Sequence, residues 1–212
     1  MAEPLVLLRD VSVRIGATTI LRRLDLSIAP GEVIGLFGGN GTGKTTLLRL
    51  LAAQLVPAAG TGVVLGVDLT GGDRVDLRRR VGMVGHTPAL YAELTLAENI
   101  TFAATVTGTD PRRGLDALGA VGLGQVIDRR ASRCSFGMQR RAEFARELML
   151  RPALLLLDEP HSALDAASTD LVGQLVDAVT GDGGGAVLVS HDRERIEKLS
   201  SRTVELVGGL LR

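Results

Sequence analysis

A glycine-rich octapeptide near residue 40 is the segment whose residue types most clearly indicate chemistry. Residues Gly38–Thr45 read G-G-N-G-T-G-K-T and fit the pattern G-x-x-x-x-G-K-[ST]. Glycines allow backbone N–H groups to close around phosphate oxygens, where larger side chains would obstruct the approach. The pattern therefore predicts a loop that binds the phosphates of a nucleoside triphosphate.

The position of this loop agrees with that interpretation, because the apolar run Glu32–Phe37 precedes it and a helical pattern, Lys44–Gln54, follows it. Lys44 is expected to place its ammonium against the β- and γ-phosphates, and the Thr45 hydroxyl is expected to bind Mg²⁺. The residues predicted to bind the nucleotide in this segment are Gly38, Gly39, Asn40, Gly41, Thr42, Gly43, Lys44, Thr45 and Thr46.

Two adjacent acids follow a second apolar run, Leu154–Leu157. Asp158 is then expected at the carboxyl end of a buried strand, where ligands bind in open α/β sheets, and its carboxylate can hold Mg²⁺ directly or through water. Glu159 is the natural general base for an attacking water molecule. With Thr45, Asp158 forms the predicted metal site, and ATP and Mg²⁺ are the predicted ligands.

The elements that must position these residues follow from the periodicity of the sequence. Alternating runs predict antiparallel strands over residues 5–30, strands and helices alternate up to residue 87 and again from residue 152, and the segment between is helical. The layout predicts an α/β protein in which a parallel-sheet core carries an N-terminal antiparallel β subdomain and a helical insert. We expect one domain over residues 1–212, with the nucleotide core at 1–87 and 152–212 and the helical subdomain at about 88–151. The predicted strands are Leu5–Leu8, Val11–Ile15, Ile20–Ile28, Glu32–Phe37, Val63–Leu65, Val81–Gly85, Leu154–Leu157, Ala186–Val189, Thr203–Val207 and Leu210–Leu211, and the predicted helices are Lys44–Gln54, Leu96–Val106, Arg112–Val121, Gly137–Leu150, Ala166–Val179 and Arg193–Leu199.

Composition excludes several classes of function. The chain has 24 basic and 24 acidic residues, so its charge provides no basis for nucleic acid as a main partner. Its single cysteine, Cys134, excludes an internal disulfide and is typical of a reducing compartment. No apolar run reaches the length of a membrane span, and charged residues interrupt the N-terminus where a secretion signal would be apolar. We expect a cytoplasmic protein whose membrane part, if it has one, belongs to another chain.

A simple kinase or GTPase would need only the residues described so far, whereas this chain has three further segments. These are Cys134–Met138 (C-S-F-G-M), Ser162–Asp165 (S-A-L-D) and Ser190-His191. With them, the chain resembles the nucleotide-binding subunit of an ABC transporter over essentially its whole length. The resemblance implies a P-loop NTPase core of the RecA-like type and an ATPase that works on separate transmembrane permease subunits at the inner face of the cell membrane.

The resemblance also implies an ATP-dependent, head-to-tail dimer that encloses two ATP molecules. On that pattern His191 contacts the γ-phosphate, Asp165 lies at the dimer interface, and the signature residues of one subunit act in trans on the nucleotide held by the other. The signature residues are Ser135, Phe136, Gly137 and Met138.

Several positions depart from the commonest form of the family. Gly39 replaces a frequent proline, and Phe136 and Met138 replace a glycine and a glutamine of the signature. Ile15 lies where an aromatic residue often stacks on adenine, so we expect contact with the base but relaxed base selectivity. His86 lies where a glutamine normally begins the loop that senses Mg²⁺ and the membrane partner. As a neutral imidazole, His86 can accept a hydrogen bond from the attacking water, so it joins Glu159 and His191 as a predicted catalytic residue.

The departures also narrow the predicted transport role. Gly85-His86 followed by L-T-L-A-E-N-I (Leu94–Ile100) resembles the ATPase of the haem exporter of cytochrome c biogenesis. The S-x-G-M form of the signature resembles export-type ATPases more broadly. The resemblance therefore implies an exporter ATPase with haem as cargo, and a drug, lipid or polysaccharide exporter is the alternative.

Two other classes of protein are alternatives to a transporter ATPase, and the sequence argues against both. A non-transport ABC ATPase that acts on ribosomes or DNA would usually carry two such domains or long coiled coils, and this chain has neither. A regulatory module without turnover would not need Lys44, Asp158, Glu159 and His191, all of which are present.

Overall fold

The computed structural model describes residues 3–71, 74–162, 164, 168 and 170–212. Ten strands are found in this part of the chain: β1 (Val6–Ile15), β2 (Thr18–Ile28), β3 (Val33–Phe37), β4 (Ala59–Val64), β5 (Val67–Asp68), β6 (Val81–Val84), β7 (Leu154–Asp158), β8 (Gly185–Val189), β9 (Arg202–Val207) and β10 (Leu210–Leu211). The α-helices in the same residues are α1 (Lys44–Leu51), α2 (Val75–Arg79), α3 (Leu96–Thr107), α4 (Pro111–Ala120), α5 (Phe136–Leu150), α6 (Asp170–Gly181) and α7 (Arg193–Leu199), with short 3₁₀ turns at Gly124–Val126 and Ala131–Arg133. No helix in the described residues is long and apolar enough to cross a membrane.

The predicted N-terminal antiparallel sheet is present, with strand order β2-β1-β4-β5. The two predicted strands Leu5–Leu8 and Val11–Ile15 are one strand, β1, interrupted by a bulge at Asp10, which has a φ of 51°. The buried side chains on β1 are even-numbered before the bulge (Val6, Leu8) and odd-numbered after it (Val11, Val13). The extra residue therefore keeps one apolar face turned to the core from Val6 to Val13.

Strand β4 begins at Ala59, earlier than the predicted Val63, although its first residues are small and turn-forming. Pairing explains the difference, because Ser12 of β1 lies opposite Ala59 and supplies hydrogen bonds that the local sequence does not reveal. The short helix α2 was not predicted either. Helix α6, predicted from Ala166, begins at Asp170 in the described residues.

The second sheet has the strand order β10-β9-β3-β8-β7-β6, and β3 runs parallel to both of its neighbours. Every residue of β3, β7 and β8 is buried, as expected for parallel strands that are covered on both faces. Because β3, β7 and β8 are parallel, their carboxyl ends lie at one edge of the sheet. That edge carries the glycine-rich loop, Asp158 and the Ser190-His191 pair.

The chain forms two compact units. The first comprises the residues up to Met83, Pro152–Asp158 and Val179–Arg212, and holds both sheets with α1 and α7; the second comprises Val84–Arg151 and Glu159–Ala178. In the second unit α3, α4 and α5 pack closely at Gly114 of α4, where a Cβ would overlap the side chain of Ile100 and lie 2.8 Å from the sulfur of Met149. The assignment of the chain to one functional domain with a helical subdomain at about 88–151 stays a prediction.

Candidate nucleotide-binding site

The glycine-rich loop connects β3 to α1, and its backbone requires glycine at defined positions. Gly38, Gly41 and Gly43 have φ values of 147°, 74° and 109°. At Gly38 a Cβ would also lie 2.5 Å from the carbonyl oxygen of Leu206, which belongs to the neighbouring strand β9. Any larger residue at 38 would therefore strain its own backbone and press on the sheet.

Lys44, the first residue of α1, folds back over the loop. Its Nζ donates hydrogen bonds to the carbonyl oxygens of Gly38 at 2.6 Å and Gly39 at 2.9 Å. Gly43 precedes it as N-cap without a side-chain acceptor, and the first turn of α1 carries no acidic residue. The amides at this helix end and the lysine ammonium thus combine in one positively polarised loop that favours an anionic ligand.

Thr45 and Asp158 are 113 positions apart in sequence and meet at the edge of the sheet. The Thr45 Oγ1 donates a hydrogen bond of 2.8 Å to Oδ2 of Asp158. The Asp158 side chain ends β7 and is buried, whereas Thr45 is exposed. A hydroxyl and a carboxylate are oxygen ligands of the kind that Mg²⁺ prefers, so the pair fits the metal site that the sequence predicts.

His191 and Glu159 each follow a strand of this sheet. His191 is exposed and lines a shallow cavity of about 190 Å³ with Gly38 of the loop, Phe37, Ser190, Arg193 and Glu205. Glu159 follows β7 directly and has a φ of 52°, a left-handed conformation that non-glycine residues seldom adopt. The left-handed backbone at Glu159 marks a turn directly after β7, where the Ser162 N–H donates a hydrogen bond of 3.0 Å to the Glu159 carbonyl oxygen.

Ile15, the residue expected to contact the base, is the last residue of β1, and its side chain is 48% exposed. It lies opposite Thr18 in the turn between β1 and β2. An exposed aliphatic side chain at this turn is available for an apolar contact. Asp165, predicted at a dimer interface, lies outside the described residues.

The signature residues surround the N-terminus of α5. Ser135 is the N-cap of this helix, and its Oγ accepts a hydrogen bond of 3.2 Å from the Met138 N–H. A cavity of about 310 Å³ is lined by the four signature residues together with Arg141, Leu164 and Ser168. The Phe136 ring is 39% exposed and lies 5.5 Å from the guanidinium carbon of Arg140, in cation–π contact. Cys134 is buried, and burial raises the pKa of its thiol although Arg129 opposes the shift.

His86, the remaining predicted catalytic residue, has an exposed side chain, but its backbone is tightly held. Arg140 of α5 donates from Nη1 to the Gly85 carbonyl at 2.6 Å and from Nη2 to the His86 carbonyl at 2.8 Å. Glu143 accepts 3.0 Å from Arg140 Nη1 and 2.8 Å from the Ala89 N–H. Sequence reasoning missed this arrangement.

The signal for it was available in the sequence. Arg140 and Glu143 are oppositely charged residues at i and i+3 on α5, beside the apolar Phe144, and both charged side chains are fully buried. Arg and Glu are almost never fully buried without a partner, so an arginine and a glutamate at i and i+3 beside a large apolar residue are compatible with a buried ion pair. Burial raises the pKa of Glu143, and the Ala89 N–H and Arg140 oppose that shift.

Comparison with known proteins gives a consistent result. The family model described as ABC transporter matches residues 21–162. The cytochrome c biogenesis ATP-binding export protein CcmA 2 of Cupriavidus metallidurans is 38% identical over 91% of this chain and 92% of that protein. The lipoprotein-releasing system ATP-binding protein LolD of Novosphingobium aromaticivorans is 36% identical over the full length of both. A solved dimeric ATP-binding cassette in a post-hydrolysis state, bound to ADP and Pi, has a TM-score of 0.88 at 25% identity over 98% of this chain and 96% of that chain.

Proposed function

We propose that this protein, which belongs to the ABC transporter family of ATP-binding domains, is the ATP-hydrolysing subunit of an exporter whose transmembrane part is formed by separate permease subunits. As a member of this family the protein is an ATPase, and its fold is the P-loop ATPase fold that the sequence predicts. The observation that carries the assignment of the site is the hydrogen bond between Thr45 and Asp158. It joins the end of the phosphate loop to the end of β7, where a triphosphate and its cation would have to be bound together.

In the proposed mechanism the loop amides and Lys44 hold the β- and γ-phosphates in line with an attacking water molecule. Glu159 takes a proton from that water while the water oxygen attacks the γ-phosphorus. The bond between the γ-phosphorus and the oxygen that leaves with ADP breaks. His191 contacts the transferred phosphoryl group from the cavity that it shares with Gly38. Thr45 and Asp158 would hold Mg²⁺, which when bound neutralises charge on the phosphate oxygens.

The proposal includes a head-to-tail dimer with two copies of the chain. Ser135 and Gly137 at the N-terminus of α5 would face the γ-phosphate that the other copy holds, because helix N-terminal amides favour anions. Closure of the dimer would exclude bulk water from the reacting groups. Asp165 would lie at the same interface.

A docking surface for the permease is proposed at about His86–Leu96, in the loop that is expected to sense the membrane partner. A groove of about 450 Å³ is lined there by residues of 89–107 and by Arg146. Tyr91 and Phe102, which are 58% and 46% exposed, meet edge to face with their ring centroids 5.1 Å apart. Exposed apolar surface of this kind favours an apolar segment of the transmembrane subunit as the occupant. Attachment to that subunit would hold the protein at the cytoplasmic face of the membrane.

Haem, for cytochrome c biogenesis, is the cargo that we propose. The support is the Gly85-His86 pair with Leu94–Ile100, together with the similarity to the export protein of Cupriavidus metallidurans. A second candidate is export of a lipid-linked cargo, because the lipoprotein-releasing relative matches the chain over its whole length at a nearly equal identity.

The ATPase proposal is tested by phosphate release from purified protein with and without Mg²⁺. Lys44→Ala is expected to abolish phosphate release, because it removes the ammonium group that binds the β- and γ-phosphates. Lys198→Ala is the matched control, since Lys198 is an exposed lysine paired with Glu194 on α7. Equal release by wild type and Lys44→Ala would contradict the assignment of the site.

The cargo is tested by isolating the protein from membranes with its permease subunits and reconstituting the complex in vesicles. Haem is expected to stimulate ATP hydrolysis in this complex, and a triacylated lipoprotein is not. Stimulation by the lipoprotein alone would favour the second candidate.

A further inference from the structure

One buried arginine contacts two of the segments in which the chain is expected to depart from the family pattern. Arg140 donates hydrogen bonds to the carbonyl oxygens of Gly85 and His86, where a glutamine would usually begin the loop. The same guanidinium lies against the ring of Phe136, which replaces a signature glycine. The two departures are thus joined through a single side chain.

The contact is built into the fold of the second unit. The Arg140 and Glu143 side chains have no exposed surface, and their ion pair of 3.0 Å is closed off from water. Glu143 also accepts a hydrogen bond from the Ala89 N–H. Arg140 and Glu143 together therefore make three hydrogen bonds to the backbone of residues 85–89. Arg146 adds a longer contact of 3.4 Å to the Ala89 carbonyl.

We propose that Arg140 is a positioning residue, which sets the place of the His86 side chain by holding the backbone of residues 85–89 to the helix that begins at the signature. This inference rests on the proposed roles of His86 and of the signature residues. Helix α5 begins at Phe136, one turn before Arg140, so a displacement of the helix start moves the guanidinium and with it the loop. The partner's γ-phosphate at the signature and the catalytic imidazole of the same chain are thereby linked.

The planar fork of arginine is suited to this role and lysine is not. Nη1 and Nη2 reach two successive carbonyl oxygens while the guanidinium carbon lies over the aromatic ring, 5.5 Å from its centroid. A lysine would keep the charge beside Glu143 but present a single point of donation without a planar face. Arg140→Lys therefore weakens the hold on the loop and leaves the buried charge paired.

The test compares four proteins: wild type, Arg140→Lys, His86→Ala, and the double variant. His86→Ala removes the imidazole and keeps the carbonyl that Arg140 contacts. Arg140→Lys is expected to lower kcat about tenfold in the wild-type background, with less than a twofold change in the dissociation constant of a fluorescent ATP analogue. In the His86→Ala background the same substitution is expected to change kcat by less than about twofold, because the side chain that it positions is absent. Single-turnover measurements with excess protein allow slow rates to be compared.

Amide hydrogen exchange supplies a second measurement. Residues 86, 87 and 89 are expected to exchange faster in Arg140→Lys than in wild type. Arg78→Lys is the matched control, because Arg78 also donates from two nitrogens to a backbone carbonyl, that of Ala53, but does so in the other unit. Arg78→Lys is expected to leave kcat and exchange at 86–89 unchanged.

An equal loss of kcat from Arg140→Lys in both backgrounds would overturn the proposal and leave Arg140 with a general structural role. So would unchanged kcat, or unchanged exchange at residues 86–89. If Arg140→Lys fails to fold, Glu143→Gln replaces it under the same criteria, since it removes the charge that holds Arg140 and keeps an acceptor for the Ala89 N–H. Absence of ATP hydrolysis by the wild type would instead contradict the proposed function itself.

Discussion

Replacement of Thr45 by valine tests the proposed metal site and the contact that builds it. Valine matches the shape of threonine and removes only the hydroxyl that donates 2.8 Å to Asp158. The acceptor is a buried carboxylate, and a hydrogen bond to a charged group contributes about 1.5–3 kcal/mol. Because Thr45 itself is exposed, water can replace part of the lost bond, and we expect a fall in the free energy of unfolding of about 1.5 kcal/mol.

The corresponding change in urea unfolding is measurable. With a dependence of about 2 kcal/mol per molar urea, the midpoint of Thr45→Val should fall by about 0.8 M. The chain has no tryptophan, so far-UV circular dichroism is the suitable probe. Thr45→Ser retains the hydroxyl and is the matched control, with an expected midpoint closer to that of the wild type.

The same variants separate stability from metal binding. In the folded protein, Thr45→Val is expected to raise the Mg²⁺ concentration for half-maximal ATP hydrolysis at least about tenfold, and Thr45→Ser by far less. An unchanged urea midpoint for Thr45→Val would show that the hydrogen bond to Asp158 contributes nothing to stability. An unchanged Mg²⁺ requirement would remove Thr45 from the metal site.

Three further predictions concern other residues. Glu159→Gln is expected to bind ATP but hydrolyse it at least a hundredfold more slowly, and to accumulate as an ATP-dependent dimer in size-exclusion chromatography; near-wild-type hydrolysis would remove Glu159 from the role of general base. With Ile15 in place of a stacking aromatic residue, the affinities for ATP and GTP measured by titration should lie within about one order of magnitude, and a hundredfold preference for ATP would mean that another residue recognises adenine. Because burial raises the pKa of Cys134, less of its thiol is ionised at pH 8, so iodoacetamide should modify it more than about tenfold more slowly than the unfolded chain, and equal rates would contradict its burial.

Local patterns in the sequence were sufficient to predict the nucleotide-binding core. Three short segments have residue types that follow from their local structure. They are the phosphate loop after β3, the apolar strand that ends at Asp158 and the strand before Ser190. Strands buried on both faces are continuously apolar, and tight loops need glycine, so these elements can be recognised without knowledge of the rest of the chain. The fold class was therefore predicted correctly. The predicted helices Leu96–Val106, Arg112–Val121 and Gly137–Leu150 differ from α3, α4 and α5 by no more than one residue at any end.

Long-range pairing was not predictable in the same way. The bulge at Asp10 is a feature of the pairing of β1 with β2 and β4, and β4 extends to Ala59 because a partner strand lies beside it. Strand pairing depends on hydrogen bonds between residues far apart in sequence, and their own local propensities do not determine it. The turn-forming residues at the start of β4 therefore predict a loop, whereas the structure has a strand there.

By itself, the sequence determined which residues could bind phosphate, hold a cation and take a proton, because those functions depend on residue type and on spacing within a few positions. Only the tertiary structure decided which of them meet. Thr45 reaches Asp158 across 113 positions because β3 and β7 deliver both to one edge of the sheet, and Arg140 reaches His86 across 54 positions because α5 packs on the loop after β6. A buried charge is stable only where its partners converge, and no local pattern encodes that convergence.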